Sequence, residues 1–163
     1  MLLSKRQFLT GGAMVCLSAC GYSPAYAPGG VGDRLRGKIR VSDPGESNSF
    51  AFVERFEARM GVPTQPTHDL AYGIGFGADG VSITADQVTQ RFNLTGQLTY
   101  SITQRPGNVV VTQGVVESFT SYSTTSNITS TRAAEQDAYR RLVTILADQL
   151  VTELLASADR WLP

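Results

Sequence analysis

Few side chains in this sequence could do chemistry. Among 163 residues there are two cysteines, Cys16 and Cys20, and one histidine, His68. His68 stands beside Asp69, and a histidine next to a carboxylate suggests a general base. Catalytic dyads and triads are assembled in space, however, and adjacency along the chain says little. The surrounding "TQPTHDL" reads as a solvated loop leading into a strand. One histidine without thiolate partners cannot fill a zinc site. "GIGFGADG" has the glycines of a phosphate loop, but no helix signal follows it and no Lys-Ser/Thr pair ends it. No nucleophile, base or metal set can be assembled, so the chain does not read as an enzyme.

Cys20 is different. "MLLSKRQFLTGGAMVCLSAC" has a basic start, a modestly apolar middle and small residues before a cysteine. Leu17-Ser18-Ala19-Cys20 resembles a bacterial lipobox, in which the thiol is diacylated and the chain is cut between Ala19 and Cys20. Small side chains let the bond reach the protease, and the lipid requires a thiol nucleophile. Cys16 leaves with the signal and Cys20 is committed to lipid, so no thiol remains for a disulfide or metal. The covalent lipid is then the only prosthetic group expected. Several acyl chains on one cysteine anchor stably where a single chain is marginal. Export runs through Sec, or by the twin-arginine route that "SKRQFL" resembles with Lys5 in place of the first arginine. Gly21 stands where an aspartate signals inner-membrane retention in enteric lipoproteins. By that resemblance the protein belongs on the periplasmic side of the outer membrane.

Lys5 and Arg6 depart with the signal, leaving twelve basic residues against fourteen acidic ones. That balance excludes a general nucleic-acid binder. The basic residues are unevenly placed. Arg34, Arg36, Lys38 and Arg40 alternate with Leu35, Gly37, Ile39 and Val41. As a strand this sets four cations on one face, either guarding a sheet edge or, with Arg91, meeting the phosphates of a lipid or lipopolysaccharide.

The elements follow from periodicity. Residues 1–19 form the signal, 20–33 a Gly/Pro-rich tether and 34–163 one domain. "SNSFAFVERFEARMG" has helical spacing at Phe52, Val53, Phe56 and Met60, with Ser47, Asn48 or Ser49 as N-cap and Gly61 as terminator. "LAYGIGF" alternates bulky residues with Ala71, Gly73 and Gly75, and "GADG" at 77–80 reads as a turn before "VSITA". From Arg91 to Thr103 alternation is unbroken and would span about 40 Å as a strand. Phe92, Leu94, Leu98, Tyr100 and Ile102 face one way; Asn93, Thr95, Gln97 and Thr99 face the other with almost no charge. Pro106-Gly107 predicts a type II turn, with a returning strand bulged at Gly114. "STTSNITST" is a loop, and from about Arg132 the period becomes 3.6. Tyr139, Leu142, Val143, Leu146, Ala147, Leu150 and Leu154 then make an apolar stripe, opposite Arg140, Thr144 and Asp148. A sheet with one apolar face and two amphipathic helices complete one another as a two-layer α+β sandwich, with about four mostly antiparallel strands and both helices on one face. A transmembrane barrel needs at least about eight strands, more than these segments supply.

The order of these segments is similar to that in a known family. "CGYSPAY", "LRGKIRV", "RFNLTGQLTYSI", the strand containing Gly114, "SYSTTSNITSTRAAEQDAYRRL" and "LADQLVTELL" resemble the alphaproteobacterial lipopolysaccharide-assembly lipoproteins, LptE. The Ser/Thr-rich stretch 120–131 is longer than that resemblance leads one to expect. It implies an α+β domain inside the lumen of a large outer-membrane barrel, LptD, which it plugs and helps to assemble, with lipopolysaccharide as a further partner. Asn93, Thr95, Gln97 and Thr99 would then face the barrel. The competing reading is another anchored, non-enzymatic accessory: a subunit of a lipid-transport ABC system or a secretin pilot.

Cys20→Ala is expected to leave an unlipidated precursor at the inner membrane, because the mature chain has no other thiol. Mass spectrometry of the membrane fraction checks this, and recovery of acylated mature protein would refute the anchor.

Overall fold

The alternation from Arg91 to Thr103 becomes the body of β3, Thr89–Gln104, in the computed structural model, which describes residues 25–83, 89–125 and 127–162. The signal segment, the Ala19–Cys20 bond and the tether as far as Pro24 lie outside the described residues. In chain order the elements are α1 (Val31–Leu35), β1 (Ile39–Val41), α2 (Ser47–Met60), β2 (His68–Ile83), β3, β4 (Val109–Ser123) and α3 (Ile128–Ser157). A 3-10 turn at Ala158–Arg160 follows. The sheet runs β1-β2-β3-β4, with β1 parallel to β2 and the other pairs antiparallel. The predicted α+β class holds.

Several local expectations change. The basic stretch 34–41 is not one strand: Arg34 lies in the last turn of α1, which ends at Leu35, and Gly37, at φ 65°, turns the chain before the short β1. Of the stretch read as tether, Val31–Asp33 lie in α1, where Gly32 is buried. "GADG" is no turn, because β2 continues through it and shifts register only between Gly80 and Ile83. Glu46, not Ser47, Asn48 or Ser49, occupies the N-cap of α2, without a side-chain cap bond. Gly61 does end that helix, its amide donating to the Glu57 carbonyl.

The hairpin turn after β3 forms at Pro106-Gly107, with Gly107 at φ 120° and Asn108 at φ 51°. Two residues take positive φ where a type II turn needs one. The bulge falls at Val111, where register shifts between Ile102 and Thr103, and not at Gly114. Gly114 instead makes room for the Tyr100 ring: a Cβ there would lie 2.8 Å from the Tyr100 hydroxyl. That hydroxyl donates to Glu153 Oε1 at 2.9 Å, and burial with the adjacent carboxylate pushes its pKa up to about 12.

The Ser/Thr-rich stretch is partly strand and partly helix cap. Asn127 Oδ1 accepts from the amides of Thr129 and Ser130 at 2.9 and 3.3 Å, so α3 starts one turn earlier than periodicity suggests. Leu94, Leu98 and Ile102 of β3 meet Leu142, Leu146, Leu150 and Leu154 of α3, all fully buried. Each such burial is worth about 1.5–3 kcal/mol. Gly96 lies directly beneath the helix. A Cβ on it would stand 2.9 Å from Leu142 Cδ2 and 3.0 Å from Leu146 Cδ1.

Phe52, Phe56 and Met60 bury the inner face of α2. Between the two long helices, Arg55 grips Asp148 through two bonds of 2.9 and 2.8 Å, and Arg59 adds a third at 2.8 Å. Asp148 therefore faces α2 and not open solvent, and these guanidiniums hold its carboxyl below the ordinary value.

Leu146→Asp puts a charge between α3 and the sheet and should cost several kcal/mol, a large share of a typical ~5–15 kcal/mol stability. Ala133→Asp, exposed near the start of the same helix, should leave the melting temperature nearly unchanged. Thermal melts followed by circular dichroism compare the two, and equal melting temperatures would contradict the packing described.

Candidate functional site

With both long helices on one side of the sheet, the opposite face is left uncovered. Register fixes what it presents. Asp79, Asn93 and Ser121 form one row across β2, β3 and β4, and Gly77, Thr95 and Phe119 form the next. Gly75, Gln97 and Glu117 follow, then Gly73, Thr99 and Val115, then Ala71, Ser101 and Gln113. In the three middle rows the β2 side is bare backbone at Gly77, Gly75 and Gly73, and the two threonines lean over it. Thr95 Oγ1 donates to the Gly77 carbonyl at 3.3 Å and Thr99 Oγ1 to that of Gly73 at 3.4 Å. A Cβ at Gly77 would stand 2.8 Å from Thr95 Oγ1, so these glycines accommodate the neighbouring strand's side chains. Gln97 Nε2 donates to Glu117 Oε1 at 2.6 Å, answering the one carboxylate in the middle rows.

The result is a shallow groove of about 570 Å³ with Gly75, Gly77, Thr95 and Gln97 along it and Glu117 and Phe119 at its β4 side. Asn93, Thr95, Gln97 and Thr99 do share one outward face. What the sequence reading missed is the β4 contribution: Phe119 is 72% exposed and Val115 50%. Period-two alternation carries that signal, but the inner series Val116, Ser118, Thr120 and Tyr122 is too mixed to show which face is wet.

The sheet also has an open edge. β1 pairs with β2 only as far as Leu70. His68 N donates to the Lys38 carbonyl and Leu70 O accepts from Ser42 N, so even-numbered residues of β2 aim their backbone groups toward that edge. Past Leu70, no backbone bond leaves this edge among the described residues. From Ala71 to Ile83 the strand itself carries no Lys, Arg or Pro to guard it.

The candidate cations do not form one site. Arg91 projects at the far end of the face, donating to Ser121 Oγ at 3.2 Å. The other four gather at the opposite end, where β1 and β2 begin. Arg34 faces Asp159 at 3.9 Å, and Arg40 faces Asp69 at 3.4 Å. Arg36 is exposed at the C-cap of α1, and Lys38 is half-buried just before β1.

His68 and Asp69 are adjacent strand residues and so point to opposite faces. The expected solvated loop histidine is instead buried, 4% exposed, as the first residue of β2. Its Nδ1 lies 2.9 Å from Thr67 Oγ1, its ring meets the edge of Trp161, and Nε2 has no partner among the described residues. Asp69, on the outer side, is held by Arg105 and Arg40. The pair is structural. Among the described residues no cluster of three or more His, Cys, Asp or Glu could hold a metal.

Residues 34–154 match the model of the family described as LptE, lipopolysaccharide-assembly. No curated protein matches the chain as a sequence relative. Several solved structures share the fold at low identity. A lipoprotein from Caulobacter crescentus superposes with a TM-score of 0.66 at 17% identity, covering 82% of this chain and 98% of its own. The minor lipoprotein of Acinetobacter baumannii gives 0.60 at 15%, covering 76% and 94%. Rare lipoprotein B of Shewanella oneidensis gives 0.58 at 10%, covering 74% and 94%.

Burial pushes the His68 pKa below its ordinary value, against an opposing pull from Asp69. The unfolded chain therefore takes up the proton first. This contribution to stability is whole above the unfolded pKa of about 6.5 and declines as pH falls from there through the lower folded value. Melting temperatures measured from about pH 7.5 to about pH 5 should fall for the wild type and fall less for His68→Gln. The Asp148 contribution is lost only at more acidic pH, as its depressed carboxyl protonates. Parallel curves for the two proteins would remove His68 as the cause.

Proposed function

The chain belongs to the LptE lipopolysaccharide-assembly family, and from that premise we propose that it is an outer-membrane lipoprotein that plugs an LptD-like barrel and assists its assembly. The observation that carries the proposal is the uncovered sheet face. The lumen of a large barrel is polar, with inward side chains alternating along every strand. A plug must meet that wall without burying unpaired charge, whose desolvation is costly. The rows from Asn93 to Thr99 supply neutral donors and acceptors; of their two carboxylates, Asp79 lies in the end row and Glu117, in the middle, is already bonded to Gln97. Phe119 and Val115 add exposed apolar area along the β4 side of the face, of the kind protein interfaces bury. Enclosure would also shield the unguarded β2 edge.

Lipid on Cys20 would hold the domain at the periplasmic side of the membrane, with lipopolysaccharide as the cargo of the assembled pair. Among the described residues no helix is long and apolar enough to cross a membrane, which says nothing of barrels. In this reading the protein is an assembly factor and not an enzyme.

Photo-cross-linkers at Gln97, Thr99 or Phe119 in cells should capture one large outer-membrane protein, while one at buried Leu98 should capture only the chain itself. Depletion should leave that barrel misassembled and lipopolysaccharide short of the surface. Capture of an inner-membrane transporter or a secretin would favour the other accessory roles, and no capture would remove the plug.

A further inference from the structure

The end of the domain opposite Arg91 collects groups that the plug face does not use. The turn at Gly37, the loop after Gly61, the Arg105–Asn108 hairpin and the C-terminal Trp161 all meet there. Gly37 N donates to the Met60 carbonyl, Arg105 N to that of Thr67, and Trp161 packs on His68. Among the described residues at this end, Asp33 accepts from Gly29 N, Asp69 is held by Arg105 and Arg40, and Asp159 faces Arg34. Arg36, Lys38 and Arg160 have no ion-pair partner among the described residues. Apolar groups stand between the cations. Tyr26, Val62 and Val109 are each more than half exposed, and Trp161 and Leu162 are half-buried. Cations interleaved with Trp, Tyr and aliphatic side chains suit a membrane interface, where ammonium and guanidinium groups meet phosphates and amphipathic rings sit at headgroup depth.

Chain length says which surface this end can reach. Cys20 precedes Ala25 by five residues, a reach of at most about 18 Å. The Ala25 carbonyl accepts from Gly32 N at 2.7 Å, and the five-residue α1 leads from there directly to Arg36 and Lys38. A lipid on Cys20 therefore keeps this end close to the leaflet that holds it. We infer that the basic end of the domain docks on the phosphate headgroups of the glycerophospholipids in that leaflet, fixing the height and tilt of the domain beside its anchor. The inference rests on the lipidation of Cys20, and its test separates the two.

Trp161 is the one tryptophan in the chain and reports on this end directly. Mature protein, with acylation confirmed by mass spectrometry, is reconstituted into vesicles of phosphatidylethanolamine and phosphatidylglycerol with brominated acyl chains. Flotation with the vesicles reports the anchor; quenching of Trp161 reports docking. The wild type should float and be quenched, and high salt should reverse the quenching without releasing the protein. Arg36→Glu/Lys38→Glu should float equally, melt at the same temperature and lose most of the quenching. If that variant misfolds, the salt response of the wild type decides alone. Acylated protein that floats unquenched, quenching indifferent to salt and charge reversal, or quenching that requires added lipopolysaccharide each overturns the docking. Protein that is neither acylated nor floats removes the anchor and the docking with it.

Discussion

A four-stranded sheet with both of its long helices on one side must leave its other side to water or to a partner. Here the one-sided burial is complete. Leu94, Leu98 and Ile102 disappear beneath α3 while Thr95, Gln97 and Thr99 stand outside. Burying aliphatic side chains is the dominant favourable term in folding, and period-two geometry ties the fate of each outer residue to that of its inner neighbours. The polar surface is thus fixed in register by the core behind it. A slip of one residue would turn this polar face inward.

Close fit within that arrangement depends on missing side chains. Gly96 lets α3 settle on β3, Gly114 makes room for Tyr100, and Gly77 lies beneath Thr95. Each glycine is paired with a bulkier group on another strand or helix. Together they give a smooth outer face and a dense inner layer from the same strands. Arg55 and Arg59 then tie α2 to α3 through Asp148. Because all three side chains are roughly one-third exposed or more, solvent weakens the pair, and it orients the helices more than it stabilises them.

The molecule is also polar along its length. Basic groups, Tyr26 and Trp161 gather where β1 and β2 begin, while Arg91, Ser121 and the start of α3 lie at the far end. The two ends stand about 40 Å apart, given some 3.3 Å per strand residue along β3. A neutral face between two unlike ends gives the domain a defined direction along its strands.

Much of this was legible in the residues alone. Unbroken alternation determined β3 and its wet face, 3.6-residue spacing determined α2 and α3, and one apolar sheet face with two apolar helix stripes determined the layered α+β class. These are local periodicities, which sequence records directly. Tertiary structure alone decided the rest. Asp148 looked like a solvent residue until α2 was laid beside it, and His68 like a loop residue until Trp161 closed over it. Arg34 to Arg40 read as one strand because alternation cannot see that α1 packs Gly32 and Leu35 into the core. Phe119 and Val115 joined the face only when β4 took its register from β3. Which side of an element meets another depends on contacts between residues far apart in the chain, and no local pattern contains that information.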